Sequence, residues 1–352
     1  MKLQRLNSRW LILLFIFSFL KSEAQPQLKR NNLFDFNWRF HKGGALGAEL
    51  PEFDDSQWRT VDLPHDWSIE DLPGTSSPFN IDAVSQVNGG FTTGGTGWYR
   101  KTFTIPQELK GKHFIIMFEG VYMNAEVWLN GEFVGKHPYG YTSFWFDISD
   151  LMSFEKENIL TVKVKNEGEN SRWYSGSGIY RHVWLKVVSP VHVTTWGTFI
   201  TTPQITEKEA LINIKTSVVN HGTQVSKIKL ITKILDSNEK YLPQVETEKT
   251  IEPGNTIEII QEFKLSNPSL WSPDVPVLYK AISEIYESES LADQVETEFG
   301  IRSILFNSVN GFLLNGKPLK LKGGCVHHDN GILGSKAYDR AEERRVEILK
   351  SN

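Results

Sequence analysis

Short runs in which apolar and polar residues alternate are the feature that most limits the possible fold of this chain. One run places Leu160, Val162 and Val164 on the same face of an extended segment, and another extends from Ala210 to Val218. Successive side chains of a β-strand point to opposite faces, so each run predicts a strand with one buried face. Almost no segment of helical periodicity separates these runs, and the chain is therefore predicted to be mainly β.

Residues 25–190 are predicted to form a first β-sandwich. Asn130-Gly131 separates two extended segments, and this dipeptide accepts the positive φ angles of a type I′ hairpin turn. The stretch from Phe114 to Phe118 is apolar on both faces, which suits a strand in the middle of a sandwich. Short strands between turns with this pattern favour an antiparallel sandwich of jelly-roll type.

Residues 191–299 are predicted to form a second unit that is also all β. The alternation from Ala210 to Val218 is repeated from Ile228 to Ile234, after a turn at His221-Gly222. About 100 residues of such strands fit an immunoglobulin-like sandwich. The cysteine pair typical of antibody domains is missing, so this prediction depends on the strand pattern alone.

The segment 300–352 has a different character. Phe312 to Leu321 predicts a hairpin around Asn315-Gly316 that leads into an apolar strand. Asp339 and Glu342 then predict an N-cap and capping box for a helix that runs to Lys350. Strand, loop and helix make one β/α unit, which cannot cover both faces of its strand alone. We therefore expect the chain to end inside a larger domain.

Residues 1–24 are predicted to be a secretory signal peptide. Positive charges at Lys2, Arg5 and Arg9 precede an apolar run from Trp10 to Leu20, and small residues follow it. The alternative is a membrane anchor, but the run is well short of the roughly 20 residues that span a bilayer. We expect cleavage before Gln25 and a soluble periplasmic or secreted protein.

Charge and cysteine content exclude several other classes of protein. The chain has 38 basic and 42 acidic residues, a net charge of -4, and no block of one sign. Neither nucleic acid nor an anionic membrane is therefore an expected partner. Cys325 is the only cysteine, so no intrachain disulfide can form.

Six motifs occur along the chain in one order, namely 61–67, 97–101, Asn130-Gly131, 171–181, 299–302, and Asn315–Pro318 followed by 323–329. Together they resemble glycoside hydrolase family 2, in its β-galactosidase branch, over residues 31–352. The resemblance implies a jelly-roll sugar-binding domain, an immunoglobulin-like domain and a (β/α)8 TIM barrel. Residues 300–352 would be the first β/α unit of that barrel, which is incomplete here.

The resemblance implies hydrolysis of terminal β-galactosides with retention by two glutamates on the barrel. The family carries them on the fourth and seventh barrel strands. We therefore expect both to lie beyond residue 352 and the chain by itself to be inactive. The pairs Asn166-Glu167 and Asn238-Glu239 copy the family's Asn-Glu dipeptide, but they fall at predicted strand ends, where such residues are ordinary in turns.

Three alternatives to a β-galactosidase stay open. β-Glucuronidase and β-mannosidase belong to the same family, and the motif from Trp173 to Arg181 favours the galactosidase by resemblance. A non-catalytic carbohydrate-binding protein would also fit a chain without a complete barrel. In each case the expected partner is a β-linked oligosaccharide or glycoside, and the sequence predicts no oligomeric state.

Five residues are candidate substrate contacts, and they come from two regions of the chain. By resemblance, His327 follows the first barrel strand, where the family places a sugar-binding histidine; His328 and Asp329 come next. Arg172 and Trp173 lie in a loop that in the family reaches the rim of the pocket. A tryptophan face stacks on the C–H surface of a pyranose, and an arginine donates to hydroxyls.

Each candidate also has a structural interpretation. The two histidines and Asp329 would be an ordinary polar loop, and Trp173 would be a core residue in a chain with 11 tryptophans. Adjacent histidines point to opposite sides of an extended segment and make a poor metal chelate, so no metal ligand and no cofactor is predicted. A divalent cation is possible in the full-length family, without support from these residues. Many members have Asn where this chain has Cys325.

Two further segments have features that a functional site could use. His65-Asp66 has the residue types of a catalytic dyad, but no motif places a serine or cysteine nucleophile beside it, and a structural role is favoured. The loop from Gly74 to Gly97 is too long for a simple turn and is a candidate wall of the substrate cleft.

Overall fold

The computed structural model describes residues 29–169, 171–206, 208–242 and 244–351. Within these ranges the chain forms 22 β-strands and one α-helix, which confirms the mainly β prediction. No helix in the described part has the length and apolar composition needed to cross a bilayer. The predicted signal peptide, residues 1–24, lies outside the described residues.

The first sandwich has two antiparallel sheets, with the strand orders β1-β12-β5-β9 and β3-β2-β4-β10-β7-β8, and a small β6-β11 ladder beside them. Its strands are β1 (Asn31–Leu33), β2 (Trp38–Lys42), β3 (Arg59–Val61), β4 (Gly95–Phe103), β5 (His113–Phe118), β6 (Val121–Tyr122), β7 (Ala125–Leu129), β8 (Glu132–His137), β9 (Phe144–Asp147), β10 (Asn158–Asn166), β11 (Gly178–Ile179) and β12 (Val183–Val188). Short 3-10 turns occupy Trp67–Ile69, Val87–Gly89, Gln107–Leu109 and Ser149–Leu151.

The core of this sandwich follows the alternation seen in the sequence. Leu160, Val162 and Val164 of β10 are fully buried between the sheets, and β10 pairs with both β4 and β7. Strand β5 lies between β12 and β9, and its residues Phe114 to Phe118 are buried, as predicted for a strand inside the sandwich. The Asn130-Gly131 turn joins β7 to β8 with positive φ angles of 54° and 87°.

The second sandwich packs a three-stranded sheet, β13-β14-β17, on a four-stranded sheet, β16-β15-β18-β19. The strands are β13 (Val191–Ile205), β14 (Glu209–Asn220), β15 (Ser226–Leu235), β16 (Val245–Ile251), β17 (Thr256–Ser266), β18 (Tyr279–Glu287) and β19 (Ser290–Phe299). The predicted inward-facing residues of β14 and β15 are buried. Seven strands in two sheets confirm the immunoglobulin-like arrangement.

Three contacts fix the second sandwich against the first. The guanidinium of Arg30 forms an ion pair with Asp293 of β19 and donates to the carbonyl of Val193 at 2.7 Å. The hydroxyl of Ser189, in the linker after β12, donates to the carbonyl of Ala292 at 2.6 Å. Because Asp293 is only 7% exposed, this ion pair is shielded from solvent at the joint.

The remaining segment begins with a small antiparallel sheet of β20 (Ile304–Asn307), β21 (Gly311–Leu314) and β22 (Lys317–Pro318), and it ends with α1 (Asp339–Ser351) after a 3-10 turn at Gly331–Leu333. The predicted hairpin turn at Asn315-Gly316 is present, with positive φ at both residues. The strand expected after it is not formed, and Leu321 and Val326 are exposed. A parallel strand requires neighbours for its hydrogen bonds, and none flanks this stretch in the described part of the chain.

The predicted helix is present, but its predicted capping box is not. Asp339 is the first helical residue, and its carboxylate bonds His182 of the first sandwich. The carboxylate of Glu342 accepts from the side-chain amide of Asn330 at 2.7 Å. Both side chains that the sequence pattern assigned to the N-terminus of the helix therefore form hydrogen bonds with residues outside the helix.

The carboxylate of Asp66 joins the first sandwich to the C-terminal segment. Asp66 is fully buried, and its Oδ1 accepts from the backbone amides of Ser68 and Ser177, each at 2.9 Å. Its Oδ2 accepts from the amide and the hydroxyl of Ser335, each at 2.9 Å, and from the phenol of Tyr174. Five donors on three separate loops thus converge on one side chain.

The glycines beside this carboxylate permit the close approach of the loops. Gly334 has a φ of 61°, and a Cβ there would lie 2.5 Å from Asp66 Oδ2. Gly176 has a φ of 69°, and a Cβ there would lie 2.0 Å from the hydroxyl oxygen of Ser335. Both positions therefore require glycine for conformation and for space.

A second polar link joins the same two parts of the chain. His182 lies just before β12; its Nδ1 donates to Asp35 Oδ2 at 2.5 Å and its Nε2 donates to Asp339 Oδ1 at 3.1 Å. The hydrogen bond to buried Asp35 raises the pKa of His182 to about 9, against the opposing effect of burial, and the bond to Asp339 adds to the rise. His182 is therefore protonated at neutral pH.

Replacement of Asp66 tests the importance of the buried carboxylate. In Asp66→Asn, an NH2 group replaces one of the two carboxylate oxygens. In either orientation of the amide, this NH2 group faces at least two buried donors whose hydrogen bonds the carboxylate accepts in the wild type. Each buried donor left unpaired costs roughly 1–3 kcal/mol, so we expect the free energy of unfolding to fall by at least about 2 kcal/mol in urea denaturation. The exposed Asp71→Asn is the matched control, and equal stability of the two variants would contradict this role.

The His182 link predicts a dependence of stability on pH. The pKa of His182 in the folded protein lies above its ordinary value of 6.5. The contribution of this link to the free energy of unfolding is therefore complete below about pH 6.5 and is lost as pH rises through about 9. We expect wild type to lose roughly 2–3 kcal/mol more than His182→Gln between pH 6 and pH 10. The measurement is urea denaturation at several pH values. Parallel curves for the two proteins would show that the ion pair contributes nothing.

Candidate functional site

Three of the predicted site residues meet at one aromatic surface, which we call the aromatic wall and which consists of Tyr141, Trp173, His327 and His328. The indole Nε1 of Trp173 donates to the Tyr141 hydroxyl at 3.0 Å. The ring of His327 meets that of Trp173 edge to face, with centroids 5.0 Å apart. The loop after β10 and the loop before α1, distant in sequence, are thus in direct contact.

His328 is the inner member of the wall. Its ring lies 5.3 Å from that of Tyr141 and 5.4 Å from that of Tyr180, measured between centroids. Its Nε2 donates to the carbonyl of Ser175 at 2.8 Å. Burial lowers the pKa of His328, so the ring is neutral at neutral pH and its Nδ1 is a hydrogen-bond acceptor.

The sequence pattern did not identify Tyr141. Its position depends on the close packing of the neighbouring Gly140. The carbonyl of Gly140 accepts from the Tyr180 hydroxyl at 2.8 Å, and a Cβ on Gly140 would lie 2.2 Å from the ring of Tyr122. The loop after β8 therefore lies directly on the sandwich. Burial raises the pKa of Tyr141, which keeps its phenol protonated. The run Tyr139-Gly140-Tyr141 was the available signal in the sequence.

The first turns of α1 hold the histidine loop in place. The guanidinium of Arg345 donates to the carbonyl of His327 at 2.8 Å, and also to the Asp329 carbonyl and the Asn330 side chain. Arg345 was also missed, because on a predicted helix it resembles any solvated cation. The loop that carries His327 and His328 is thus fixed by α1 on one side and by Asp66, through Ser335, on the other.

The predicted contacts differ in their exposure and in the side of the loop on which they lie. Trp173 is 36% exposed and is therefore not a core residue. Arg172 is exposed beside it. Asp329 is exposed and lines a groove of about 490 Å³ against α1, together with Cys325 and His327. The structure thus brings Trp173, His327 and His328 together and places Asp329 on the helix side of the loop.

A cleft of about 340 Å³ adjoins Trp173. Residues 82–85, Gly89 and residues 92–95 of the long loop line the cleft, together with residues 166–169. Ser171, Trp173 and Ser175 complete the lining. The long loop therefore lines a cleft beside the aromatic wall, as its length and composition suggested.

The two Asn-Glu pairs have the contacts of turn and surface residues. Asn166 donates to the carbonyl of Gly176 at 3.0 Å, and the carboxylate of Glu167 accepts from Thr96 at 2.9 Å. The backbone amide of Asn238 donates to the side chain of Asp236, which caps the turn, and Glu239 adopts a φ of 60° in the same turn.

His65 and Asp66 do not form a dyad with each other. The Nδ1 of His65 lies 2.7 Å from the Tyr99 hydroxyl, and its Nε2 lies 2.9 Å from a carboxylate oxygen of Glu70. Burial by itself would raise the pKa of Glu70, but hydrogen bonds from His65 and Arg59 lower it to about 2. The favoured structural role agrees with these contacts.

The aromatic wall has the chemistry of a surface that recognises a polyhydroxylated ring. It combines a partly exposed indole with a protonated phenol and a neutral imidazole, and the exposed Arg172 precedes Trp173 in the chain. Such groups stack on the apolar face of a ring and exchange hydrogen bonds with hydroxyls at its edge.

Comparison with known proteins gives matches along most of the chain. Residues 31–189 match the family model described as the sugar binding domain of glycosyl hydrolases family 2, and residues 191–302 match the model of glycosyl hydrolases family 2. A solved member of this family from Bacteroides cellulosilyticus superposes with a TM-score of 0.89 at 48% identity, covering 92% of this chain and 42% of that one. A β-glucuronidase structure from Bacteroides uniformis gives 0.81 at 31% identity, covering 91% and 38%.

Curated relatives carry two names. The β-galactosidase BoGH2A of Bacteroides ovatus is 41% identical over 90% of this chain, and a putative β-glucuronidase of Formosa agariphila is 36% identical over 89%. The chain spans 37% of the first relative's length and 29% of the second's. Two family models in succession and these identities agree with the fold, and the chain belongs to glycosyl hydrolases family 2.

Proposed function

We propose that this chain is the substrate-recognising part of a retaining β-glycosidase that acts on terminal β-galactosides. The observation that carries the proposal is the aromatic wall, in which Trp173, Tyr141 and His327 come together from separate loops. The relative with 41% identity, named a β-galactosidase, supports the choice of sugar. In retaining glycosidases two carboxylates about 5 Å apart perform the reaction, and we propose that in the whole protein they lie outside these 352 residues.

The wall would recognise a galactoside through three kinds of contact. The exposed face of Trp173 would stack on the C–H surface of the pyranose. The neutral ring of His328 would accept a hydrogen bond from a hydroxyl, and Arg172 would donate one. His327, whose ring meets that of Trp173 edge to face, would line the same side of the bound sugar.

A second candidate is a β-glucuronidase of the same family. Two of the relatives that match at 36% and 31% identity are named putative β-glucuronidase and β-glucuronidase. Arg172 is exposed beside Trp173, and a guanidinium can pair with a uronate carboxylate. A preference for the glucuronide over the galactoside would favour this candidate.

Binding of simple glycosides tests the proposal and its competitor. We expect methyl β-galactoside to give saturation-transfer NMR signals with the purified chain, more strongly than methyl β-glucuronide, and p-nitrophenyl β-galactoside not to be hydrolysed. Trp173→Ala should weaken binding at least about fivefold, because loss of a central aromatic contact costs about 1 kcal/mol or more.

The exposed Trp196→Ala, in the second sandwich, is the matched control for that variant. Equal binding by wild type and Trp173→Ala would place the sugar elsewhere. Hydrolysis by the purified chain would contradict the proposed location of the catalytic carboxylates.

We also propose that the protein is periplasmic or secreted, on the basis of the signal-peptide pattern in residues 1–24. Expression with the native N-terminus in a Gram-negative host should give a product that begins at Gln25 outside the cytoplasm. N-terminal sequencing checks this outcome. A product that keeps residues 1–24 and sediments with the membranes would instead indicate an anchor.

A further inference from the structure

Three potential metal ligands meet at the joint between the two sandwiches. His113 and Asp147 belong to the first sandwich, and His221 belongs to the second. One ligand atom from each lies within 4.8 Å of the others. His113 Nδ1 and Asp147 Oδ2 are 3.4 Å apart. This cluster is formed from residues that the aromatic wall does not use.

Regular strands position the two ligands of the first sandwich. His113 is the first residue of β5 and Asp147 is the last residue of β9; in the register of these neighbouring strands Asp147 lies opposite Ile115. Ser149 fixes the carboxylate, because its amide donates to Asp147 Oδ1 at 2.9 Å and its hydroxyl donates to the same oxygen at 2.5 Å. The other oxygen, Oδ2, is left on the side of His113.

The third ligand is held by the linker between the sandwiches. The backbone amide of His221, directly after β14, donates to the carbonyl of Pro190 at 2.9 Å. Its ring stacks on that of His113, with centroids 4.5 Å apart and planes inclined by 24°. The stack places both imidazole edges beside the carboxylate, and His221 and Asp147 are exposed to solvent on this side.

We propose that His113, Asp147 and His221 form a binding site for a divalent transition-metal ion, with Zn²⁺ the best match to two imidazoles and one carboxylate. Tetrahedral Zn²⁺ with bonds of about 2.0–2.1 Å separates its ligand atoms by about 3.3 Å. The distance of 3.4 Å between His113 Nδ1 and Asp147 Oδ2 already matches this separation, and a rotation of the exposed His221 ring would bring its nitrogen to the same spacing. A water molecule completes the tetrahedron.

A metal ion at this site would hold the two sandwiches together. The ion bonds two strands of the first sandwich to the first residue after β14 of the second. Its coordination bonds would join the sandwiches in addition to the Arg30–Asp293 ion pair, which connects them through different residues. The site is independent of the proposed glycosidase function, since no residue of the aromatic wall takes part.

Calorimetric titration with ZnCl₂ tests the site. The chain is purified with a tag that contains no histidine, stripped with EDTA and returned to metal-free buffer. We expect one equivalent of Zn²⁺ to bind, thermal unfolding to move to higher temperature, and EDTA to reverse the shift. Co²⁺ at the same site should give the intense visible absorption of a tetrahedral ion.

Two variants and a control make the result decisive. His221→Ala and Asp147→Asn should each weaken Zn²⁺ binding at least tenfold, whereas His41→Gln, which alters a histidine stacked on Trp58, should not. His221 is exposed, so its variant should fold as wild type does, and Asp147→Asn keeps the size of the side chain. Absence of Zn²⁺ binding at micromolar concentrations, or an unchanged Kd in both variants, would overturn the proposal.

Discussion

The buried carboxylate of Asp66 is the interaction on which the arrangement of the candidate site depends. Its two oxygens accept from donors on the 66–68 turn, the 174–177 loop and the 334–335 turn. The second of these loops follows Trp173 and the third follows the two histidines of the aromatic wall. Because a buried acceptor with several donors has no good alternative partner, it fixes the relative position of these loops.

The other supports of the wall act at its periphery. Arg345 holds the backbone of the histidine loop, and His182 ties the start of α1 to Asp35 in the first sandwich. The Asp339 end of this second link is exposed, so water screens it more than it screens the Asp66 contacts. The wall thus has one rigid anchor and two weaker ones, all outside the aromatic residues themselves.

The sequence was informative wherever a local pattern determines structure. Alternation located the buried faces of β10, β14 and β15, and the dipeptides Asn130-Gly131 and Asn315-Gly316 located two hairpin turns. Of the site, Trp173, His327 and His328 could be named in advance only because motifs resembled those of a family. Their meeting point could not be derived from spacing, since 150 or more residues separate the two loops.

Predictions went wrong where a distant residue competed with a local one. Asp339 and Glu342 fit a capping box, but His182 and Asn330 bind them instead. The apolar stretch after β22 has strand composition, yet a strand also needs partners beside it. Arg345 could not be identified because its importance comes from contacts across the fold and no short-range pattern distinguishes it, and Tyr141 offered only the short run Tyr139-Gly140-Tyr141.

The Asp66 contacts join residues that are far apart in the sequence, and this separation affects the order in which parts of the protein fold. The bond to Ser335 joins residues 269 positions apart, while the hairpins of the sandwiches close over a few residues. Loop-closure entropy delays contacts between such distant parts of a chain until local elements have formed. We therefore expect the aromatic wall to form late in folding, after a sandwich already exists to receive it.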